Sequence, residues 1–372
     1  MNKISLWTIA AAGILLLATS CSQGSGSQNS SDNTDSLAAA ADTLRYPEEK
    51  HFKNVRRLTN GGNNAEAYYS FGGQQLVFQN DWSEWGNSCD QIYVMSTTGT
   101  GNQEPQMVST GKGRTTCAYF MPGDSLVLYA STHLGADTCP ANPPRKVDGR
   151  YVWPIYDTYD IFVADLKGNI LKQLTNTKGY DAEATVSPDG KKIVFTSTRS
   201  GDLELWTMNM DGSELKQITN TLGYDGGAFF SPDSKMLVWR ASRPQTPEDQ
   251  KAYKSLLKQG LVQPSDLEVF VANANGSNVK QVTSIGKANW APNWHPSGKK
   301  IIFASNHNGE SGRQFNLFMV NIDGTGLEQL SFDTVFDAFP MFSPDGKQVV
   351  FSSNRFNNGG HDTNVYIADW VE

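Results

Sequence analysis

The stretch that decides the fold occurs twice, 44 residues apart. Residues 174–190 read LTNTKGYDAEATVSPDG, and residues 218–234 read ITNTLGYDGGAFFSPDS. Each copy leads into a short aliphatic and aromatic run typical of a buried strand, Ile193-Val194-Phe195 and Leu237-Val238-Trp239. The Ser-Pro-Asp sequence between them favours a tight turn, because proline fixes φ and aspartate bonds to nearby backbone. The two copies therefore predict a repeated unit of strands joined by tight turns.

The same pattern recurs six times along the chain. Aligned on the proline of Ser-Pro-Asp, the equivalent positions are Phe71, Pro122, Pro188, Pro232, Pro296 and Pro344. The shortest spacing, 44 residues, matches the roughly 40–45 residues of a propeller blade. Each unit is expected to contain an inner strand A, then strands B and C, and an outer strand D. We predict an all-β protein, a six-bladed β-propeller of four-stranded blades.

The sixth unit lacks an outer strand at its own end, because the chain stops shortly after the strand C run Val365–Trp370. A matching strand lies near the start of the chain: Val55-Arg-Arg-Leu-Thr59 has the same form as Leu171-Lys-Gln-Leu-Thr175. An N-terminal strand is therefore expected to close the ring, which removes open sheet edges. The predicted propeller domain spans residues 51–372.

The composition agrees with a turn-rich β protein. The chain has 372 residues with 34 glycines and 16 prolines, and only 19% of its residues are charged. Its formal net charge is −7 and it has no cluster of Lys and Arg. This argues against a nucleic-acid partner, because binding phosphates needs a basic surface.

The repeat resembles that of a known family. Ser-Pro-Asp-Gly after Tyr-Asp, with Met208-Asn-Met-Asp-Gly-Ser213 and Lys216-Gln-Ile-Thr219, is similar to the TolB-type, WD40-like six-bladed propeller repeat. The resemblance covers about residues 52–372. In the TolB protein of the Tol–Pal envelope system an α/β domain precedes the propeller, whereas a short polar segment stands here. The resemblance implies a β-propeller that works in the bacterial cell envelope.

The first twenty residues have the layout of a lipoprotein signal peptide. Lys3 precedes an apolar run that is shorter than the roughly 20 residues needed to span a membrane. The run ends in Ala18-Thr19-Ser20-Cys21, which resembles a bacterial lipobox. The resemblance implies cleavage before Cys21 and lipidation of its thiol. Ser22, where inner-membrane lipoproteins carry Asp, implies the outer membrane.

Residues 21–50 are predicted to be the lipidated cysteine and a flexible tether. The part from Ser22 to Ser36 is rich in Ser, Gly, Gln and Asn and has almost no apolar residue, so it cannot bury a core of its own. We expect an outer-membrane lipoprotein that faces the periplasm and touches the membrane through its lipid anchor only.

One face of the predicted propeller, here called the upper face, gathers the D–A and B–C loops. Arg begins the B–C loop only in the three units whose D–A loop carries Asp at the equivalent position. This matching favours structural ion pairs, and a substrate-binding ring of arginines is the alternative. The predicted pairs are Asp181 with Arg199, Asp225 with Arg243, and Asp337 with Arg355.

Two B–C loops carry insertions, which in repeat proteins often form the functional face. Blade 2 has a long insert at 134–158, and blade 4 contains Thr246-Pro-Glu-Asp249, a helix start with its cap. Aromatic and basic side chains here suit protein contacts or sugar stacking, and packing of the inserts onto the blades is the alternative. The candidate binding residues are Trp82, Trp85, Arg145, Arg150, Tyr151, Trp153, Tyr156 and Tyr253.

Catalytic motifs are scarce. The sequence has no G-x-S-x-G or H-E-x-x-H motif, so a non-catalytic protein without a cofactor is favoured. Three histidines of the upper loops, His133, His307 and His361, could hold a divalent metal. That site would resemble the one in oligogalacturonate lyases, and solvent-exposed or loop-packing histidines are the alternative.

Two carboxylates occupy equivalent positions on inner strands beside the channel. Glu66 and Glu183 could act as an acid and a base, or they could be solvated in a water-filled channel. The other members of this ring of positions are Cys117, Gly227, Ala291 and Phe339.

An exported protein can keep disulfides, and three cysteines follow Cys21. Cys89 and Cys139 fall in upper loops of adjacent blades and are the preferred pair. Cys89 with Cys117 is the alternative.

These observations predict a monomeric, tethered propeller that binds an envelope protein or complex. A peptidoglycan-associated protein is one candidate partner. Two other functions stay open. One is a metal-dependent polysaccharide lyase or hydrolase, and the other is a non-catalytic glycan-binding module.

Overall fold

The computed structural model describes residues 43–101, 103–357 and 360–372. The predicted signal peptide, Cys21 and most of the tether lie outside these residues. Among the helices that are described, none combines the length and the apolar character needed to cross a membrane.

The described chain forms six four-stranded antiparallel sheets arranged as blades. Strand β1 (Phe52–Arg57) precedes blade 1, which contains β2 (Asn64–Tyr69), β3 (Gln75–Asn80), β4 (Gln91–Ser96) and β5 (Gln106–Met107). The four strands of blade 2 are β6 (Thr115–Phe120), β7 (Leu126–Ser131), β11 (Asp160–Asp165) and β12 (Ile170–Gln173). The insert between β7 and β11 contains three short strands, β8 (Lys146–Val147), β9 (Arg150–Tyr151) and β10 (Trp153–Pro154). Blade 3 contains β13 (Asp181–Val186), β14 (Lys192–Ser197), β15 (Glu204–Asn209) and β16 (Lys216–Gln217).

The remaining blades repeat this order. Blade 4 has β17 (Asp225–Phe230) and β18 (Met236–Ser242), then the insert with helix α1 (Pro247–Lys258) and β19 (Leu261–Val262), then β20 (Leu267–Asn273) and β21 (Lys280–Gln281). Blade 5 contains β22 (Asn289–Trp294), β23 (Lys300–Ser305), β24 (Asn316–Asn321) and β25 (Glu328–Gln329). Blade 6 contains β26 (Asp337–Phe342), β27 (Gln348–Ser353) and β28 (Asn364–Trp370), with β1 as its outer strand. The predicted six-bladed, four-stranded propeller is confirmed.

The lower turns follow the chemistry of Ser-Pro-Asp-Gly. In blade 3 the hydroxyl of Ser187 donates to Asp189 Oδ1 at 2.7 Å and accepts from the backbone N–H of Lys192 at 2.9 Å. Gly190 has φ of +69°, and a Cβ there would lie 2.9 Å from Cγ of Pro122 in blade 2. Glycine is therefore needed for the turn and for the close approach of two blades.

Every inner strand contains a β-bulge at the same repeat position. The register between strands A and B shifts there in all six blades. The residue at the bulge has φ between 50° and 60° and lines the central cavity. Five of the six carry a side chain, although the left-handed region costs an L-residue roughly 1–2 kcal/mol. The six residues are Glu66, Cys117, Glu183, Gly227, Ala291 and Phe339, called the bulge ring below.

The ring closes through the start of the chain, as predicted. Strand β1 pairs with β28 in antiparallel register, with Phe52 opposite Trp370 and Arg57 opposite Tyr366. The N–H of Leu58 continues the ladder by donating to the carbonyl of Val365 at 2.8 Å. The first and last strands of the propeller are thus joined in one blade.

The described end of the predicted tether, residues 43–50, packs against blade 6 and the neighbouring loops. The Glu49 side chain is fully buried, and the ring of Tyr46 stacks on Phe356 with centroids 5.1 Å apart. Leu44 contacts the apolar cluster shared by blades 5 and 6. The packed part of the chain therefore begins before residue 51, because these residues bury both apolar and charged groups.

A buried three-charge cluster holds this segment. Arg355 Nη2 donates to Asp337 Oδ2 and to Glu49 Oε1, both at 2.8 Å, and Nη1 donates to Glu49 Oε2 at 3.1 Å. None of these three side chains is exposed. Arg355 thus joins the blade to the segment that precedes β1.

We expect Arg355→Met to destabilise the protein by about 3–5 kcal/mol, because it leaves two buried carboxylates without their cation. Urea unfolding followed by circular dichroism would measure the loss. The matched control is Lys347→Met in the same blade, whose partner Asp345 is exposed, and its effect should stay within about 0.5 kcal/mol. Equal effects of the two substitutions would contradict a structural role for the cluster.

Candidate functional site

A cavity of about 450 Å³ lies at the upper end of the central channel. The bulge ring surrounds it, and the aromatic residues two positions further along three inner strands lie below that ring. Tyr68 and Phe229 have ring centroids 5.2 Å apart, and Tyr119 lies 6.0 Å from Tyr68 and 6.1 Å from Phe229. These rings form a floor across the channel below Glu66 and Glu183.

The inserts of blades 2 and 4 form the roof of the cavity. Strand β10 pairs with β19, and the N–H of Ile155 donates to the carbonyl of Gly260 at 2.7 Å. Helix α1 begins as predicted, with Thr246 Oγ1 accepting from the N–H of Asp249. The hydroxyl of Tyr253 binds Asp202 of blade 3. Two inserts that are distant in sequence thus support each other above the channel.

A disulfide fixes the base of the roof. Cys89 is bonded to Cys139, the preferred pair, while Cys117 keeps a free thiol. The bond joins the B–C loop of blade 1 to the insert of blade 2. It therefore limits how far the roof can move from the ring.

The carboxylate of Glu183 is saturated with hydrogen bonds. Oε1 accepts from the hydroxyl of Tyr224 at 2.6 Å and from Arg240 Nη2 at 2.5 Å. Oε2 accepts from Thr196 Oγ1 at 2.7 Å and from the N–H of Gly227 at 2.8 Å. Burial alone would raise the pKa of Glu183, but Arg240 and these donors lower it below its usual value. Glu183 is therefore held as an anion.

Arg240 reaches Glu183 through the gap at Gly227. A Cβ at Gly227 would lie 1.8 Å from Nη1 of Arg240, so only glycine leaves room for the guanidinium. The guanidinium also lies 4.9 Å from the centre of the Tyr224 ring. Sequence reasoning missed Arg240 and Tyr224, although an arginine inside the apolar run of β18, beside the only glycine of the bulge ring, was a usable signal.

Glu66, two blades away from Glu183 around the ring, has a different environment. Burial raises its pKa to about 7, and nearby Glu183 and Asp90 act in the same direction. The thiol of Cys117 is its hydrogen-bond partner. The two carboxylates singled out from the sequence therefore share one cavity but have opposite pKa shifts, because only Glu183 is paired with a cation.

The predicted Asp–Arg pairs each lie within one blade. Arg199 Nη2 donates to both carboxylate oxygens of Asp181, at 2.9 and 2.8 Å. Arg243 donates to Asp225 through both Nη atoms, at 3.0 and 2.7 Å. With Arg355 bound to Asp337 and Glu49, the three guanidinium groups all have carboxylate partners. They are thus engaged by the propeller itself.

The candidate binding residues divide into an exposed group and a packed group. Arg145, Arg150 and Tyr151 are exposed on the blade 2 insert, and Trp153 and Tyr156 are half-buried beside the cavity. The other three pack internally: Tyr253 is buried under the roof, and Trp82, Trp85 and Tyr93 form a chain of aromatic contacts at 5.3 and 5.1 Å.

The three histidines do not converge. His133 Nδ1 contacts Ser131 Oγ at 2.9 Å, His307 Nδ1 contacts the carbonyl of Ile285 at 2.8 Å, and His361 is exposed. Burial lowers the pKa of His133. Over residues 43–372, leaving aside 102, 358 and 359, no three His, Cys, Asp or Glu side chains are grouped to hold a metal. His133 and His307 thus have separate local partners, and His361 lies exposed.

Comparison with solved structures shows what this fold is similar to. A putative TolB from Agrobacterium tumefaciens aligns with a TM-score of 0.55 at 18% identity, over 86% of this chain and 97% of that one. TolB from Acinetobacter baumannii aligns with a TM-score of 0.52 at 19% identity, over 84% of this chain and 64% of that one. An oligogalacturonate lyase from Vibrio parahaemolyticus has a TM-score of 0.49 at 13% identity, over 87% and 94% of the two chains. At these identities the likeness concerns the fold.

A search of curated protein sequences found no match. The family model described as TolB beta propeller domain matches residues 155–250 and 262–369, which is more than half of the chain. The matched residues include complete copies of the Ser-Pro-Asp repeat, the strands of blades 3 to 5 and, in blade 6, β26, β27 and most of β28. The chain belongs to the TolB β-propeller family.

Proposed function

We propose that this chain is an outer-membrane lipoprotein whose propeller faces the periplasm and binds another envelope protein through its upper face. The observation that carries the proposal is the exposed hairpin β8–β9, which stands at the mouth of the cavity on a fixed base.

The residue types on this hairpin suit a protein partner. Tyr151 is 51% exposed, and Arg145 and Arg150 are exposed near it. Tyr, Trp and Arg are enriched at the energetic centres of protein interfaces, because they combine large apolar area with directional hydrogen bonds. The hydroxyl of Tyr151 accepts from Trp153 Nε1 at 3.1 Å, which holds the exposed ring in place.

A fixed base lowers the entropic cost of binding. The β10–β19 pairing and the Cys89–Cys139 bond support the insert from two sides. A preorganised surface loses less conformational freedom when a partner docks. This favours a binding platform over a loop that orders only on contact.

The metal-dependent lyase has less support. Two of its three histidines, His133 and His307, have separate local partners. The Glu183 carboxylate accepts from four donors. The similarity of fold to two TolB structures supports an envelope role by analogy alone.

Placing a photo-crosslinking phenylalanine analogue at position 151 should capture one discrete envelope protein in living cells. The matched control is position 215, because Leu215 is similarly exposed at 49% but belongs to blade 3 at the lower, outer rim. Adducts would be identified by immunoblotting and mass spectrometry. No adduct at 151, or the same adducts at both positions, would contradict the proposed binding surface.

The anchor is tested by Cys21→Ala, which should release the protein from the membrane fraction and abolish incorporation of labelled palmitate. Ser22→Asp should keep the label but move the protein to inner-membrane fractions, since the residue after the cysteine directs sorting in the motif that this segment resembles. Retention of label after Cys21→Ala would refute lipidation at that residue.

A further inference from the structure

We propose that Glu66 is the anionic anchor of a binding site for a primary ammonium group at the head of the propeller channel. The site lies beneath the proposed docking face, and a docked protein could supply the ammonium group as a lysine side chain. In that case the inference rests on the proposed function. A free small amine would supply the same chemical group.

The charges around the cavity leave one acid without a cation. Glu183 is paired with Arg240, and Asp90 is paired with Arg114. Among the described residues that line the cavity, Glu66 is the remaining charged side chain, and its hydrogen-bond partner is the neutral thiol of Cys117. A bound cation would compensate the buried carboxylate, which is costly to leave unpaired.

The walls also suit a cation. Ammonium groups are attracted to the faces of aromatic rings, and the attraction grows when the site excludes water. Rings from the floor, the walls and the roof line the same cavity, among them Tyr68, Phe229, Tyr159, Tyr180, Trp153 and Trp290. The volume of about 450 Å³ is within the usual range for small-ligand sites and exceeds what one lysine side chain needs.

An anionic ligand fits less well. The guanidinium of Arg240 is neutralised by Glu183 and covered by the ring of Tyr224. Arg114 is engaged by Asp90 and also donates to Asn142 at 3.2 Å. A catalytic carboxylate pair fits poorly too, because Glu183 is held as an anion by four donors and cannot readily exchange a proton. The unpaired acid is thus best matched by a cation.

The protonation of Glu66 gives the site a pH dependence. With a pKa of about 7, Glu66 is mostly protonated at pH 6 and mostly ionised at pH 8, whereas a primary amine stays charged at both values. Affinity for the amine should therefore rise roughly tenfold from pH 6 to pH 8. The groups that act on Glu66 are the thiol of Cys117, the carboxylates of Glu183 and Asp90, the guanidinium of Arg240 and the adjacent phenol of Tyr68.

The direct test is a tryptophan-fluorescence titration of the purified protein with Nα-acetyl-lysinamide, since Trp153 and Trp290 line the cavity. We expect saturable binding that weakens at least roughly tenfold in Glu66→Gln, because a charge-assisted hydrogen bond is lost. Glu84→Gln, an exposed glutamate of the same blade, is the matched control and should bind like the unchanged protein. Nα-acetyl-norleucinamide, which lacks the ammonium, should bind at least roughly tenfold more weakly.

The proposal is overturned if Glu66→Gln binds the lysine derivative as well as Glu84→Gln does, or if the norleucine analogue binds equally. The pH dependence in the unchanged protein gives a second test that needs no variant. A constant affinity from pH 6 to pH 8 would overturn the proposal even if Glu66→Gln failed to fold.

Crosslinking at position 151 in Glu66→Gln cells separates the two sources. Loss of the adduct together with loss of amine binding assigns the ammonium to the protein partner, and a retained adduct assigns it to a small amine. If the protein without other substitutions forms an adduct at position 151 but binds no amine, the Glu66 site is overturned and the docking face is supported. If it binds the amine but forms no adduct, the docking face is overturned and the Glu66 site is supported.

Discussion

The propeller depends on the contact between its first and last strands. Without a fourth strand the final blade would leave the long edge of β28 unpaired, and here β1 covers that edge by pairing with β28. The pairing is reinforced by Arg355, which joins Asp337 of blade 6 to Glu49 just before β1. Each blade packs on its neighbours, so the channel and the loops above it keep their positions only while the ring is closed.

The site arises from one repeated irregularity. The bulge in every inner strand places a residue with positive φ beside the channel, and six such residues form a ring. The chemistry varies around the ring, because its members are two carboxylates, a thiol, a glycine, an alanine and a phenylalanine. Blade 4 shows how strongly this matters, since Gly227 leaves space that Arg240 fills to reach Glu183.

Sequence reasoning predicted the blades because Ser-Pro-Asp-Gly turns and aliphatic runs are local signals. It also singled out Glu66 and Glu183, because repeat alignment identifies equivalent positions without any coordinates. The partner of Glu183 escaped it, since Arg240 lies on a different strand of the next blade. The floor escaped it for a similar reason: Tyr68, Tyr119 and Phe229 come from three blades and meet only across the channel.

The sequence by itself determined the number of blades and the strand that closes the ring. It also determined the pairing of Asp181, Asp225 and Asp337 with arginines eighteen positions later. All three features could be found because they repeat along the chain. Only the tertiary structure decided which of the two carboxylates is compensated and which side chains of the inserts remain exposed. The physical reason is that a pKa and an exposed area depend on atoms brought together from distant blades. Glu66 and Glu183 occupy the same repeat position, yet one faces an arginine and the other a thiol.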